Sequence, residues 1–290
     1  MAKPNLALVD DWEPRPETDD GRVAPFPRAP REELPRWWGR PLAETRWTLE
    51  LMRLLADPVF WAAEGVVPGD GRPVLLMPGL LGGDQTLAVL ALWLRRIGYR
   101  PYTVGFVANV DCSDRAVDRV QRRVESLHRR YGRRVALVGH SRGAHYARVL
   151  GARRPELVSH AISLGADLQG MLGISRPTAL AVTAVRKCIV ANGRAREPGC
   201  LTTECTCRFM DGYSRPFPVD EVRLTSIYSK GDGVVRWERS RVPEAECLEV
   251  TGSHTGLVFN RKAYAAIATA LAAPELPVAT AKESHHADLI

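Results

Sequence analysis

The sequence predicts an α/β fold, with a mostly parallel central sheet, helices on both faces and a segment inserted late in the sheet. Three observations carry this. From residue 72 onward, short apolar runs alternate with amphipathic stretches, the pattern of strands joined by crossover helices. One run, Val135-Ala136-Leu137-Val138, leads directly into Gly139-His140-Ser141-Arg142-Gly143 and then into helical spacing at Ala147, Val149 and Leu150. The alternation breaks between residues 168 and 218 and then resumes.

The chain has 290 residues, enough for one large α/β domain with insertions or for two small domains. Its excess of +7, from 40 Lys and Arg against 33 Asp and Glu, is mostly arginine spread along the chain. The densest cluster, Arg129-Arg130-Tyr131-Gly132-Arg133-Arg134, falls at a helix end, where cations suit the dipole. No basic stripe is interleaved with aromatics, which argues against a nucleic-acid partner. No stretch has the length and purity of a transmembrane segment.

Residues 1–71 read as an N-terminal extension. Its first 35 or so residues are rich in Pro, Asp and Arg and predict a loose segment. "MAKPNLALVDDWEPRPETDD" lacks the apolar centre and cleavage site of a secretory signal, so the expected location is cytoplasmic. Helical spacing over 42–55, surrounded by Trp37, Trp38, Trp47 and Trp61, predicts a packing helix ahead of the first core strand, with an exposed surface that contacts lipid or a partner as the other reading.

The core is expected over 72–167 and 219–273. "RPVLLMPGLLGGD" is a buried strand entering a glycine-rich loop, and "QTLAVLALWLRRIG" is an amphipathic helix stopped by Gly98. "RPYTVGFVANV" is a strand. "SDRAVDRVQRRVESLHRRYG" is a long amphipathic helix with Ser113 as N-cap and Gly132 as stop. The Ser141 strand and helix follow, then the strand "VSHAISLGAD". Residues 168–218 form the insertion, with one or two helical patches. "VRLTSIYSKGDGVV" and "AECLEVTGSHTGLVF" are strands with loops, "RKAYAAIATALA" is the last helix, and 274–290 read as a loose tail.

The chain has six cysteines, and four of them, Cys188, Cys200, Cys205 and Cys207, crowd into the insertion. That density resembles a disulfide-braced loop, which is at odds with a reducing compartment. Four cysteines allow three pairings. Zinc binding and free thiols are the other readings; the spacing lacks the paired C-x2-C form of a zinc site. Cys112 and Cys247 stand apart.

The chemistry centres on Ser141. Gly139 and Gly143 remove side chains that a tight strand-to-helix turn would not admit, and a strained backbone is expected at the serine itself. A serine hydroxyl needs a base within hydrogen-bond reach, and the base needs an anion to hold its tautomer. Asp232 follows a strand and is flanked by Gly231 and Gly233, which suggests a second tight turn. His254 follows the next strand, and the order Ser, Asp, His is the one expected for such a sheet. Asp167, at the end of the preceding strand, is the rival acid. An oxyanion needs two preset N–H donors. The residue after the nucleophile, Arg142, supplies one, and Leu80 in "MPGLLGG" supplies the other, with Gly79 letting the chain turn.

The motifs "PGLLGG", "GHSRG", "SKGDGVV" and "GSHTGL", in this order and each at a strand end, resemble the α/β-hydrolases, in the style of bacterial serine lipases and esterases. The resemblance covers residues 72–271. It implies Ser141, Asp232 and His254 as the triad, with Leu80 and Arg142 as oxyanion donors. It also implies a carboxylic ester substrate of hydrophobic or lipid-like character, and no metal or organic cofactor. Two departures stand out. The oxyanion loop begins Pro78-Gly79 rather than His-Gly, and Arg142 puts a cation beside the expected mouth. The insertion then reads as a cap or lid whose apolar patch, 179–185 with Met171, Leu172 and Ile174, lines an acyl pocket. Two alternatives stay open: an acyltransferase with the same triad, and a catalytically silent fold that binds a ligand or partner.

Overall fold

The structure, a computed structural model, describes residues 37–171, 173–195, 201, 205 and 207–278. Its six strands are β1 (Pro73–Met77), β2 (Arg100–Thr103), β3 (Val135–His140), β4 (Val158–Leu164), β5 (Arg223–Ser229) and β6 (Glu246–Val250). They form one sheet in the order β2-β1-β3-β4-β5-β6, and every pairing is parallel. The central strands β1 and β4 are buried throughout, as expected where helices cover both faces. Pro101 sits in β2 at the sheet edge, where its missing N–H leaves no ladder bond unmade on the outer side.

The helices are α1 (Trp47–Leu55), α2 (Pro58–Trp61), α3 (Ala88–Arg96), α4 (Ser113–Tyr131), α5 (Arg142–Arg153), α6 (Arg176–Ala191), α7 (Arg208–Ser214) and α8 (Arg261–Ala272). Strand alternation divides the core in two. Leu75, Met77, Val135 and Leu137 pack against α4, α5 and α7 on one face. Val74, Leu76, Ala136 and Val138 pack against α2, α3 and α8 on the other, with Leu54 of α1 joining them.

Several elements differ from expectation in detail. The N-cap of α4 is Cys112; Ser113 is the first helical residue, and its hydroxyl accepts from Arg142 Nη2 at 3.2 Å. Gly132 ends α4 in the left-handed region, φ 61°, where glycine is favoured. The chain after α8 is anchored where it was expected to be loose. Arg223 Nε donates to Pro274 O at 2.6 Å, and Arg134 bonds both Glu275 and Leu276 O. Residues 279–290, the rest of the expected tail, lie outside the described residues, as do residues 1–36. The tryptophan-rich segment packs less than its composition suggests. Only Glu50 and Leu54 of α1 are buried, while Trp38, Leu42 and Met52 are exposed.

Among the described residues none of Cys112, Cys188, Cys205, Cys207 and Cys247 is joined in a disulfide, in place of the expected brace; Cys200 lies outside the described residues. A hydrogen bond from Cys205 lowers the pKa of the Cys207 thiol below its ordinary value. Among the described residues no group of three His, Cys, Asp or Glu side chains is placed to hold a metal ion, and no helix is long and apolar enough to cross a membrane.

Candidate active site

The turn between β3 and α5 holds Ser141 at φ 51° and ψ −119°, a strained conformation for a residue with a side chain. Both flanking glycines are required by space. A Cβ on Gly139 would overlap the backbone of Gly143 and Ala144, and one on Gly143 would overlap Met77 O. α5 thus begins hard against the ends of β1 and β3, with Arg142 as its first residue. Helix geometry leaves the N–H of that residue without a partner four residues back.

The glycine-rich loop after β1 lies against this turn. A Cβ on Gly79 would stand 3.1 Å from His140 Nδ1 and 3.2 Å from Ser141 Cβ, so the close approach explains the glycine. The positive φ falls instead on Leu81, at 62°. Leu80 N–H makes no hydrogen bond among the described residues, whereas Gly82 N closes the turn on Gly79 O at 3.1 Å. Leu80, Ser141 and Arg142 line one narrow cavity of about 80 Å³, whose apolar wall includes Met171, Ile174 and Val182. Thr178 and Val182 of α6 bring the insertion over this cavity, and Leu201 joins them. Val185 packs instead on Cys112 and Ile189; Leu172 lies outside the described residues.

Asp232 and His254 meet at the ends of β5 and β6. His254 Nδ1 lies 2.7 Å from Asp232 Oδ2, and both side chains are buried. An ionised carboxylate only accepts, so Nδ1 carries the proton and neutral His254 keeps a lone pair on Nε2. Asp232 Oδ1 is held by Val234 N–H and Val235 N–H, both at 2.8 Å. Burial pushes the His254 pKa down. The charge and hydrogen bond of Asp232, helped by the charge of Glu44, outweigh it and raise the pKa above 6.5. The His140 ring lies 4.8 Å from that of His254, tilted 44° to it, and bonds His254 O through Nε2 at 3.0 Å. Burial, then the neighbouring His254, holds the His140 pKa down to about 3, so His140 is a neutral donor.

Ser141 N–H donates to Leu164 O at 2.8 Å, and Gly165, next in chain, approaches both Asp232 Oδ2 and His254 Nδ1. All three candidates therefore lie at the C-terminal end of the sheet, past β3, β5 and β6. Ser141 Oγ makes no hydrogen bond to His254 in this conformation; serine–base contacts are commonly long until substrate is present.

Asp167 does not serve His254. Its Oδ1 accepts from Gln169 and Gly170 N–H at 3.1 and 2.8 Å, and its Oδ2 from Gly173 N–H and Arg239 Nε, both at 2.7 Å. It fastens the start of the insertion. The Arg142 guanidinium is not a loose cation at the mouth either. It donates to Asn109 O at 2.9 Å and to Asp111 O at 2.5 Å. Buried Asn109 donates to Pro78 O at 2.8 Å and accepts from Tyr146 OH at 2.9 Å, so it ties the loop after β1 to α5.

The N-terminal segment supplies side chains that the sequence did not flag. Glu44 Oε1 accepts from Gly233 N–H at 3.0 Å and from His254 N–H at 2.9 Å, and its Oε2 accepts from Thr255 N–H at 2.8 Å. Buried Glu50 accepts from Ser253 N–H at 2.9 Å and from Ser253 Oγ–H at 2.7 Å. The signal for Glu50 was its position one turn before Leu54, a carboxylate on the inward stripe of a helix. The turn at Asp232 is tight, as expected, with Asp232 N–H on Ser229 O at 3.1 Å, and these contacts add a second reason for glycines in the two loops. Neither Gly231, Gly233 nor Gly256 has a positive φ. A Cβ on Gly233 would stand 2.6 Å from Arg40 O and 2.9 Å from Glu44 Oε1, and one on Gly256 would overlap the Glu50 carboxylate.

This sheet order, elbow and strand-end placement define an α/β-hydrolase fold, and solved structures agree. The mature form of lipase BlEst2 from Bacillus licheniformis matches 70% of this chain and 94% of its own, at TM-score 0.51 and 14% identity. Its propeptide form matches 74% of this chain and 53% of its own, at TM-score 0.52 and 15% identity. No family model matches the sequence.

Proposed function

We propose that the protein hydrolyses carboxylic esters through an acyl-serine at Ser141. The observation that carries this reading is the buried 2.7 Å pairing of His254 Nδ1 with Asp232, beside a serine held in a strained turn. The likeness to a lipase fold is in keeping with it. In this reading Ser141 Oγ attacks the carbonyl carbon while His254 Nε2 takes its proton. The oxyanion lies between the N–H groups of Leu80 and Arg142. Collapse breaks the bond to the leaving oxygen, which takes the proton from His254. Water, deprotonated by the same nitrogen, then releases the acid and restores Ser141.

The apolar wall of Leu80, Met171, Ile174 and Val182 supports a hydrophobic acyl group. Residues 168–218, which include α6, act as the cap, and 72–167 with 219–273 as the catalytic core. A cavity of about 80 Å³ accepts a short acyl chain as it stands, and a longer one requires α6 to shift.

The test is labelling with a fluorophosphonate, read by intact mass, alongside hydrolysis of p-nitrophenyl esters of rising chain length. Wild type is expected to gain one adduct and Ser141→Ala none, with turnover lost and the melting temperature kept. A Ser141→Ala protein that retains near-normal turnover would sink the assignment.

A further inference from the structure

We propose that Glu44 is a positioning residue for the acid and base loops, so that the N-terminal segment is part of the catalytic unit rather than an appendage to it. The proposal rests on the ester-hydrolase reading for its consequence and on geometry for its substance. One carboxylate accepts from three backbone N–H groups, one in the loop of Asp232 and two in the loop of His254. These loops follow different strands, β5 and β6. Ser229 Oγ at the end of β5 ties them near their start, at Gly231 and Gly252, and Glu44 ties them again beside Asp232 and His254 themselves. Arg40 N–H adds a bond to Gly233 O at 3.2 Å, and Glu50 holds Ser253 by two more. The same segment reaches α6: Arg176 N–H donates to Trp37 O at 2.9 Å, and its guanidinium lies 4.9 Å from the Trp38 ring.

The physical logic is that of preorganisation. Asp232 and His254 are buried, and their pairing fixes the ring only if the two loops keep their spacing. Displacements of about 1 Å in such a constellation cost about 10²-fold in rate. Hydrogen bonds to an ionised acceptor are about twice as strong as neutral ones, which suits a single side chain asked to hold two loops. The groups facing the imidazole are Asp232 from the β5 loop, Glu44 from the N-terminal segment and neutral His140 from the end of β3. Glu50 acts on the same loop through Ser253. Removing the Glu44 charge therefore leaves Asp232 as the anion that stabilises imidazolium, and the acid limb moves to lower pH.

The experiment uses the full chain with Glu44→Gln and Glu44→Ala. In the isosteric Glu44→Gln one oxygen still accepts, while the amide NH₂ turns a donor toward an N–H. The labelling rate of Ser141 is expected to fall about tenfold in Glu44→Gln and about 10²-fold in Glu44→Ala, with an acid midpoint below that of wild type. Amide hydrogen exchange at Gly233, His254 and Thr255 is expected to quicken in both. A folded Glu44→Gln protein with wild-type rate, midpoint and exchange overturns the proposal. If Glu44→Ala does not fold, Glu44→Gln decides. If wild type itself shows no Ser141-dependent labelling, the ester-hydrolase reading fails separately. Hydrogen exchange alone then judges the clamp: quickened exchange supports it and unchanged exchange overturns it.

Discussion

Replacing Gly256 with alanine asks whether the Glu50 carboxylate shapes the histidine loop. The backbone at 256 is outside the left-handed region, so alanine is allowed there and the penalty is one of space. The new methyl would occupy the place of Glu50 Oε2, while Ser253 Oγ, 2.6 Å away, can turn about a single bond. Glu50 must then leave, and Ser253 N–H and Oγ–H lose an ionised acceptor. Each hydrogen bond to a charged group is worth about 1.5–3 kcal/mol, so the upper limit is about 3–6 kcal/mol. The side chain has somewhere to go. It lines an outer cleft of about 520 Å³ together with Arg46 and Arg53, where water and cations receive it. That relief brings the expected cost to about 2–3 kcal/mol, or about 2–4 °C in melting temperature for each kcal/mol in a chain of this size. Urea unfolding of wild type, Gly256→Ala, Glu50→Ala and the double variant measures it as a cycle. The two changes are expected to be strongly non-additive, because the methyl meets no carboxylate once Glu50 is shortened. A Gly256→Ala protein within about 0.5 kcal/mol of wild type, or the same loss in both backgrounds, would refute the reasoning.

Asp232→Asn is expected to lower kcat/KM about 10⁴-fold, since an amide no longer holds Nδ1–H and the wrong tautomer is favoured; a loss under tenfold would move the acid role elsewhere. Asp167→Asn is expected to act on stability instead. It weakens bonds to Arg239 and to three backbone N–H groups at the start of the insertion, and the midpoint of the pH–rate profile should stay in place. A shifted midpoint would show that Asp167 touches the base. For the wild type, the base works only when neutral and its pKa lies above 6.5. The rate is therefore expected to fall with one proton as pH drops through that raised value. A profile flat to about pH 5 would exclude His254, because the unperturbed imidazole value of about 6.5 already lies above that pH.

The strand-helix alternation was legible because central parallel strands are buried on both faces and read as unbroken apolar runs. β1 and the first four residues of β3 show this, whereas β4 is buried throughout with Ser159, His160 and Ser163 among its apolar residues. Termini were read less well. Composition marked the chain after 273 as loose, but Arg134 and Arg223, distant in sequence, hold its first residues through backbone carbonyls. The α4 boundary failed by one residue for a related reason. Ser113 was the expected cap, but its hydroxyl is taken by Arg142 from another helix. In each case the deciding partner lay far along the chain, beyond the reach of local propensity.

The site shows the same division within single motifs. Ser141 was readable because strain, room and helix start all fall within five residues. The choice between Asp232 and Asp167 needed the hydrogen bond to His254; the glycines flanking Asp232 mark a tight turn, and Gly233 also leaves room for Arg40 and Glu44. A glycine marks either a backbone that needs positive φ or a place where something comes close. Sequence does not distinguish the two. At Gly233 and Gly256 the second holds: Arg40 O and the Glu44 carboxylate come close to the first and the Glu50 carboxylate to the other, all from far earlier in the chain, with a separation of 210 between Glu44 and His254. A turn glycine predicts tolerance of Asn, which also accepts positive φ. A clearance glycine predicts intolerance of any side chain until the opposing residue is shortened. The Gly256 and Glu50 cycle separates these two meanings, and so tests the physical reason for a motif rather than its presence.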